Sequence, residues 1–305
     1  MKALLLLALM LVPLSQARAV EVLATIKPLQ LIASAITEGV TETQLLLPPG
    51  SSPHDYALRP SDVRKIKRAD LVLWVGPELE RFLAPVLEKK ANSLMLLPLM
   101  SEEHNEHEHE HKHHKVAIEN HEDHHDHPHD HGTQDVHIWL DPHQAEQIAQ
   151  LLADRLTTLD PDNSSRYQRN LQQFQTALTA VDQRITRQLA PARGIGYFVF
   201  HDAYSYWEQH YQLPALGHFT VNPARAPGAK TVAEIHQALK QAKAKCVFAE
   251  PQFKPAVVSA VLRNTEAKLG SLDPLATDIA PGPQSYFVFI QQLADDMTDC
   301  LLNKP

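Results

Sequence analysis

Past its first fourteen residues the chain has no apolar run near the roughly 18 residues that a membrane-crossing helix needs. The mature product is therefore expected to lack a membrane span. Cysteine occurs only twice, at Cys246 and Cys300, far apart and never as a C-x-x-C pair, which argues against a dithiol redox role. Positive charge is also short: 28 Lys and Arg face 36 Asp and Glu, for a net charge of −8. That balance argues against nucleic acid or an anionic membrane surface as a partner. Outside one low-complexity tract there is no H-E-x-x-H pair, and no hydrolase nucleophile motif is present.

The chain opens on Met1-Lys2, an apolar run from Ala3 to Leu14, and Ala17-Arg18-Ala19. A short cationic start, a hydrophobic core and an A-x-A site predict a secretory signal peptide, residues 1–19, cleaved after Ala19. No cysteine lies near the cleavage point, so a lipid-anchored form is not expected. Losing Lys2 and Arg18 takes the net charge from −8 to −10. About 286 residues remain, enough for two domains. In an oxidising compartment Cys246 and Cys300 can form one disulfide, closing a loop of about 55 residues and contributing about 4 kcal/mol in the chain-entropy model. Two buried free thiols are the alternative.

What the chain has in excess is histidine. Twelve of the 28 positions from His104 to His131 are histidine, half of the others are acidic, and the remaining seven histidines are scattered. Neutral imidazole and carboxylate bind zinc and neighbouring transition metals, so the composition reads as a metal collector, against the plainer reading of a solvated charged linker. With almost no apolar side chains, the tract cannot build a core. Ordering its backbone would cost about 1 to 2 kcal/mol per residue.

Around the tract the pattern alternates short aliphatic runs with amphipathic stretches. Strands are expected at Val22–Ile26, Gln44–Leu47, Leu71–Val75 and Leu94–Leu97, with helices from Lys27 to about Glu38, from a Ser61 cap to Arg68, and from about Glu78 to Lys90. Order resumes at Val136–Leu140, read as a further strand, and Asp141-Pro142 should cap and start a helix to about Thr158. Ser164 to Leu189 lacks glycine and proline and keeps an apolar helical period, giving a helix about 39 Å long. Strands follow at Gly196–Phe200, Leu213–Phe219, Cys246–Ala249 and Lys268–Leu272, with helices near 204–211, 231–243, 254–265 and 285–302. Such alternation implies βαβ units and parallel sheets. The fold class expected is α/β, two lobes of parallel sheet flanked by helices, joined by one long linking helix, with a metal cleft between them. The expected divisions are an N-terminal lobe 20–159 with a histidine-rich insertion 101–134, a linking helix 160–189 and a C-terminal lobe 190–305.

Ligands of parallel α/β sheets bind beyond the carboxyl ends of the strands. His54, after a strand and a Pro-Gly turn, and His201, at a strand's end, satisfy that rule; His137, at the start of its expected strand, needs the insertion to bring it back over the same edge. Singly each is more often a structural histidine, but together beside a metal-collecting tract they read as ligands. Asp273, where a strand meets a loop, is the favoured fourth ligand, with water as the competitor. Glu250 is read as a helix-capping or supporting carboxylate, and His143, His210, His218 and His236 as structural or surface residues.

These residues also carry a resemblance. Pro48-Pro49-Gly50-Ser51-Ser52-Pro53-His54-Asp55-Tyr56 followed by Leu58-Arg59-Pro60-Ser61-Asp62, then His137-Ile138-Trp139-Leu140-Asp141-Pro142, Phe200-His201-Asp202-Ala203-Tyr204 and Leu272-Asp273-Pro274-Leu275, resemble the metal-binding receptors of ABC importers for zinc and manganese. The likeness is greatest to the periplasmic zinc receptors of the ZnuA type, over essentially the whole mature chain, and a histidine-rich insertion is typical of them. The resemblance implies that His54, His137 and His201 ligate the metal. Manganese members have a carboxylate at the third position, so His201 favours zinc. Asp273 matches a carboxylate that ligates in some members, while zinc receptors often leave that contact to water. Cys246 and Cys300 look like the pair that forms a disulfide in the nearest relatives, and the long helix looks like the family's linking helix, which restricts lobe closure.

The function so implied is capture of Zn2+ as transported cargo in the periplasm and delivery to an ABC permease with its ATPase. The receptor is expected to be a monomer that meets the membrane only through the permease. The rivals are a zinc-dependent hydrolase using Asp55 or Asp202 as base, and a periplasmic zinc buffer or adhesin with no permease. Ordering four residues of a floppy tract costs about 4 to 8 kcal/mol, or about three to six powers of ten in affinity. A preformed cleft should therefore hold the tight site and the tract the weak ones.

Overall fold

The computed structural model describes residues 20–87, 90–99, 135–220, 228–242, 244–253 and 256–303. The expected signal peptide and the histidine tract lie outside these residues. The described chain forms two parallel four-stranded sheets. The first contains β1 (Val22–Ala24), β2 (Gln44–Leu45), β3 (Leu71–Trp74) and β4 (Ser93–Met95) in the order β2-β1-β3-β4, with α1 (Lys27–Ile36), α2 (Pro60–Arg68) and α3 (Ala84–Leu87) among its connections. α4 (Pro142–Leu159) and α5 (Ser164–Leu189) follow. The second sheet contains β5 (Tyr197–His201), β6 (Gly217–Thr220), β7 (Cys246–Ala249) and β8 (Lys268–Ser271) in the order β6-β5-β7-β8, with α6 (Ser205–Tyr211), α7 (Ala229–Ala242) and α8 (Ala256–Leu262) between strands and α9 (Ser285–Leu302) last. The two halves thus share one strand order. In each, the order reverses between the first and third strands, the place where a parallel sheet opens a crevice beyond its carboxyl ends.

β1 and β3 are wholly buried and aliphatic or aromatic, as befits central parallel strands covered on both faces. One continuous apolar core joins residues of both sheets and of α5, and a smaller one, built on Phe198, Phe200, Phe219 and Val247, lies on the other side of the second sheet. A disulfide ties Cys246, at the start of β7, to Cys300 of α9.

The long helix is present as predicted. Its buried positions, Tyr167, Asn170, Leu171, Phe174, Leu178, Val181, Ile185 and Leu189, follow a helical period. Near its start, Asn170 Nδ2 donates to the carbonyls of Ile36 and Glu38 at the end of α1. Near its end, Gln188 Nε2 donates to Asp295 Oδ1 and Thr298 Oγ1 of α9. Each end is thereby fixed to a different half.

Several expectations need correction. Val136–Leu140 is no strand: Ile138–Leu140 forms a 3-10 turn, buried throughout. A short apolar run reads alike for a strand and for any other buried segment. The run expected as a helix from Glu78 does not start there: a 3-10 turn, Arg81–Leu83, precedes α3, because Pro85 lacks the N–H that a helix running through it needs and Glu80 folds back on the chain before it, while residues 88–89 of the expected helix lie outside the described residues. α2 begins at Pro60, ahead of the Ser61 cap that was expected, and its start is closed by Asp62 Oδ2, which accepts the Arg59 N–H at 2.9 Å. β6 begins at Gly217, not Leu213.

Candidate metal centre

His54 sits on the loop between β2 and α2. Pro48-Pro49-Gly50 makes a tight turn there, with the Ser51 N–H donating to the Pro48 carbonyl at 3.1 Å and Gly50 at φ +77°, a conformation that glycine adopts without steric cost. Ser52 Oγ accepts the His54 N–H, and Tyr56 Oη donates to Asp62 Oδ2 at 3.0 Å, which fixes the loop to the start of α2. His137 directly precedes the 3-10 turn, whose Trp139 is locked across the molecule: its Nε1 donates to the Pro274 carbonyl at 2.7 Å and its own carbonyl accepts Tyr286 Oη at 2.9 Å. His201 is the last residue of β5, at the strand's carboxyl end.

These three segments bring the three imidazoles together. Ring centroids lie 5.5 Å apart for His54 and His137, 5.1 Å for His54 and His201, and 4.8 Å for His137 and His201. One nitrogen from each lies within 4.8 Å of the others, and among the described residues this is the one group of three or more His, Cys, Asp or Glu so placed. At a Zn–N distance of about 2.0 to 2.1 Å, tetrahedral ligand nitrogens sit about 3.3 Å apart, so the rings need to close by about 1 Å or less per ring to hold zinc. The crevice around them, lined by Pro53, Trp139, Phe253 and Leu275 among others, has room for an ion or a water rather than for an organic solute.

The nitrogen atoms are prepared for a cation. His137 and His201 are 4% and 3% exposed, yet His137 Nε2 and both ring nitrogens of His201 have no hydrogen-bond partner. A buried polar atom without a partner is costly, which is the signature of a site completed by a ligand. On the far side of the His137 ring, Nδ1 lies 2.7 Å from Asp135 Oδ1. On the far side of His201, Nδ1 lies 3.4 Å from Glu250 Oε1, outside hydrogen-bond geometry, so that oxygen also lacks a partner. Burial, reinforced by the neighbouring His137, lowers the His54 pKa to about 4, and burial followed by His137 and His54 holds His201 well below the ordinary imidazole value. Both rings are therefore neutral with lone pairs available near pH 7. Asp135 keeps its pKa below the ordinary carboxylate value: burial pushes it up, but its bonds to His137 and Ser205 outweigh that.

Asp273 is not part of the three-histidine group. Its Oδ1 accepts Gln252 Nε2 and the Leu275 N–H, and its Oδ2 accepts the Thr277 N–H at 2.6 Å, so the carboxylate ties down the turn after β8. The carboxylate that reaches the crevice is Glu250, at the end of β7. Asp135 was missed as a partner of the histidines, and Glu250, read as a helix-capping or supporting carboxylate, was not linked to His201. The Asp135-x-His137 spacing was a usable signal, since an aspartate two residues away can bond an imidazole's Nδ1, whereas nothing local links Glu250 to His201. The other histidines lie apart: His210 bonds Asp182 Oδ1 at 2.8 Å, His143 meets His210 edge to face, His236 Nδ1 faces the Val261 carbonyl, and His218 pairs with the exposed Asp202 at 3.5 Å.

Three imidazoles with an open fourth position suit zinc, and comparison with known proteins points the same way. Residues 22–300 match the family model described as "Zinc-uptake complex component A periplasmic". The chain belongs to this family of periplasmic zinc-uptake components. A high-affinity zinc uptake system protein ZnuA of Yersinia pestis is 45% identical over 290 residues, covering 92% of this chain and 91% of that protein. ZnuA of Brucella abortus is 36% identical over 305 residues, again covering 92% and 91%. Among solved structures, a ZnuA crystal structure aligns at a TM-score of 0.71 with 23% identity, covering 91% of this chain and 99% of that one. The laminin-binding adhesin Lmb of Streptococcus agalactiae aligns at 0.74 with 20% identity, covering 92% and 99%. At these identities the solved structures show the fold, and the fold is common to zinc-uptake components and to an adhesin. The family model and the curated ZnuA relatives are what assign this chain to zinc uptake. Its two-sheet architecture, long helix and Cys246–Cys300 disulfide agree with the expectations from sequence.

Proposed function

We propose that this zinc-uptake component binds Zn2+ through His54, His137 and His201 and passes it to an ABC permease with its ATPase. The observation that supports this most is that buried nitrogens of His137 and His201 lack partners and gather with a nitrogen of His54, from three separate segments, within 4.8 Å of one another. Binding has to be reversible, and three imidazole nitrogens plus one exchangeable ligand meet that need better than a closed four-residue structural site. Water is the proposed fourth ligand. Asp273 can take that place only by giving up Gln252 or a backbone amide of its turn. The bases a zinc hydrolase was expected to use, Asp55 and Asp202, are exposed, and Asp202 faces His218. The receptor reading needs no base.

The proposal includes export by residues 1–19 with cleavage after Ala19, action as a monomer in the periplasm, and the division into lobes 20–159 and 190–305 about a linking helix 160–189. The proposed role for the tract, residues 101–134, is to hold further zinc weakly. Calorimetric zinc titration of the mature chain tests the ligand set. Replacing His54, His137 or His201 by alanine should each weaken the tight site at least 100-fold, and Asp273→Asn less than tenfold. A tight site that survives any one of the histidine substitutions rejects that residue as a ligand. A larger loss in Asp273→Asn makes its carboxylate the fourth ligand.

A further inference from the structure

His137 differs from the other two histidines in how its ring is held. Asp135 Oδ1 accepts both the His137 backbone N–H, at 2.9 Å, and lies 2.7 Å from ring Nδ1. The second oxygen, Oδ2, accepts Ser205 Oγ, and the Asp135 carbonyl accepts Tyr206 Oη at 3.1 Å. Ser205 and Tyr206 open α6, directly after the short loop that follows His201. The segment 135–140 therefore leans on the second half at both ends, through Ser205 and Tyr206 at one and through Pro274 and Tyr286 at the other. Neither His54 nor His201 has such a bond to its ring: His54 has its backbone N–H on Ser52, and His201 Nδ1 is unbonded.

We propose that Asp135 is a positioning residue for the metal centre, fixing the His137 ring with Nδ1–H toward its carboxylate and the bare Nε2 toward the ion, while Ser205 and Tyr206 fix Asp135 itself. The chemistry is general: an imidazole free in water favours the opposite tautomer, with the proton on Nε2, and a carboxylate on Nδ1 reverses that choice and makes Nε2 the better donor. Asp135 is itself held at three points, its carboxylate by the His137 N–H and Ser205 and its carbonyl by Tyr206, so the ring is oriented before the ion arrives and little ordering remains to be done on binding. This inference rests on the zinc reading above and adds a residue that does not touch the ion.

The test uses the mature full-length chain. In the zinc-free protein, nitrogen-15 histidine NMR should show His137 as the Nδ1–H tautomer in wild type. Asp135→Ala should shift it to the Nε2–H form. Asp135→Asn, whose amide oxygen can still accept, should retain the wild-type tautomer. In chelator competition, Asp135→Ala should lose about 10- to 100-fold in zinc affinity, and Asp135→Asn clearly less. His137→Ala serves as the control for the zinc reading: if it leaves tight binding intact, the metal centre itself is wrong. If His137→Ala removes tight binding while Asp135→Ala keeps either the wild-type tautomer or the wild-type affinity, the metal centre stands and the positioning role is overturned. Should Asp135→Ala fail to fold, the Asn variant decides. It must keep the tautomer and bind zinc more weakly than wild type by a factor below ten, and a tautomer shift or a larger loss overturns the proposal.

Discussion

Glu80 and Glu250 follow matching strands of the two sheets, β3 and β7, each third in its sheet's order. Both carboxylates are buried, at 0% and 4% exposure, and burial raises both pKa values, Glu80 to about 7 and Glu250 well above the ordinary carboxylate value. Glu80 Oε2 accepts the N–H groups of Val75 and Gly76, at 2.8 and 3.2 Å, and closes its own loop. Glu250 Oε1, which like Glu80 Oε1 has no hydrogen-bond partner, instead lies 3.4 Å from His201 Nδ1. The same topological place thus gives a structural carboxylate in one half and one that faces the metal centre in the other. The difference lies in the neighbours: the backbone amides of Val75 and Gly76 claim one Glu80 oxygen, whereas an imidazole stands beside Glu250.

Four outcomes would break or sharpen this contrast. The largest concerns the covalent tie present only beside the second sheet. Replacing both Cys246 and Cys300 by serine should remove about 4 kcal/mol of unfolding free energy in urea, with zinc affinity changed little; a cost below about 1 kcal/mol would mean the second half does not depend on it.

Next is Glu80. Its folded pKa of about 7 lies above the unfolded value, so the folded state binds the extra proton between about pH 4.5 and 7. The stability this group contributes is present at low pH and is lost as pH rises through 7, by up to about 3 kcal/mol. Glu80→Gln should remove that fall, so the variant gains on wild type at pH 8 relative to pH 5 in urea melts, with zinc affinity within about twofold. A large loss of zinc affinity would place Glu80 in the metal centre and erase the contrast.

Third, Glu250→Gln should lower zinc affinity by about 10- to 100-fold, since it removes the one carboxylate beside His201. An unchanged affinity by chelator competition would reduce Glu250 to the rank of Glu80.

The smallest effect is in pH. His54, at about 4, and His201 are held neutral by burial, so protons compete with zinc for them only well below pH 6. An imidazole in water takes its proton near pH 6.5. Between pH 7 and 5.5 the tight site should therefore weaken less than the weak sites assigned to the tract. The depressed pKa values also mean that the zinc-free fold loses stability as pH falls from 6.5 toward 4, because the unfolded chain takes protons there that the folded chain refuses. A tight site that fades in step with the weak ones at pH 6 would contradict the burial of these two rings.

Much of the fold was legible in the sequence because it rests on local pattern. The buried aliphatic strands Leu71–Trp74 and Cys246–Ala249, the Asp141-Pro142 start of α4 and the unbroken period of α5 each announce themselves within a few residues. His54 and His201 were legible through the rule that ligands gather at strand ends. His137 was placed by its motif while its segment was misread, since a short, mainly apolar run looks the same in a strand and in a turn pinned by Trp139 and Tyr286. Asp273 shows the limit of position alone: its place after β8 was right, but the amides of Leu275 and Thr277 already occupy its carboxylate. Glu250 was read as a capping or supporting carboxylate, and its link to His201 could be recognised only once β5 and β7 were seen side by side.

The histidine-rich tract first suggested metal chemistry, and the central claim is that the tight site lies elsewhere. Zinc titration against a competing chelator, on the mature chain with and without residues 101–134 and on the chain with His54, His137 and His201 all replaced by alanine, tests it most directly. The account predicts that deleting the tract removes the weak sites and leaves the tight site within a few-fold, whereas the triple substitution abolishes the tight site and keeps the weak ones. Loss of the tight site on deleting the tract, or its survival in the triple variant, would contradict it.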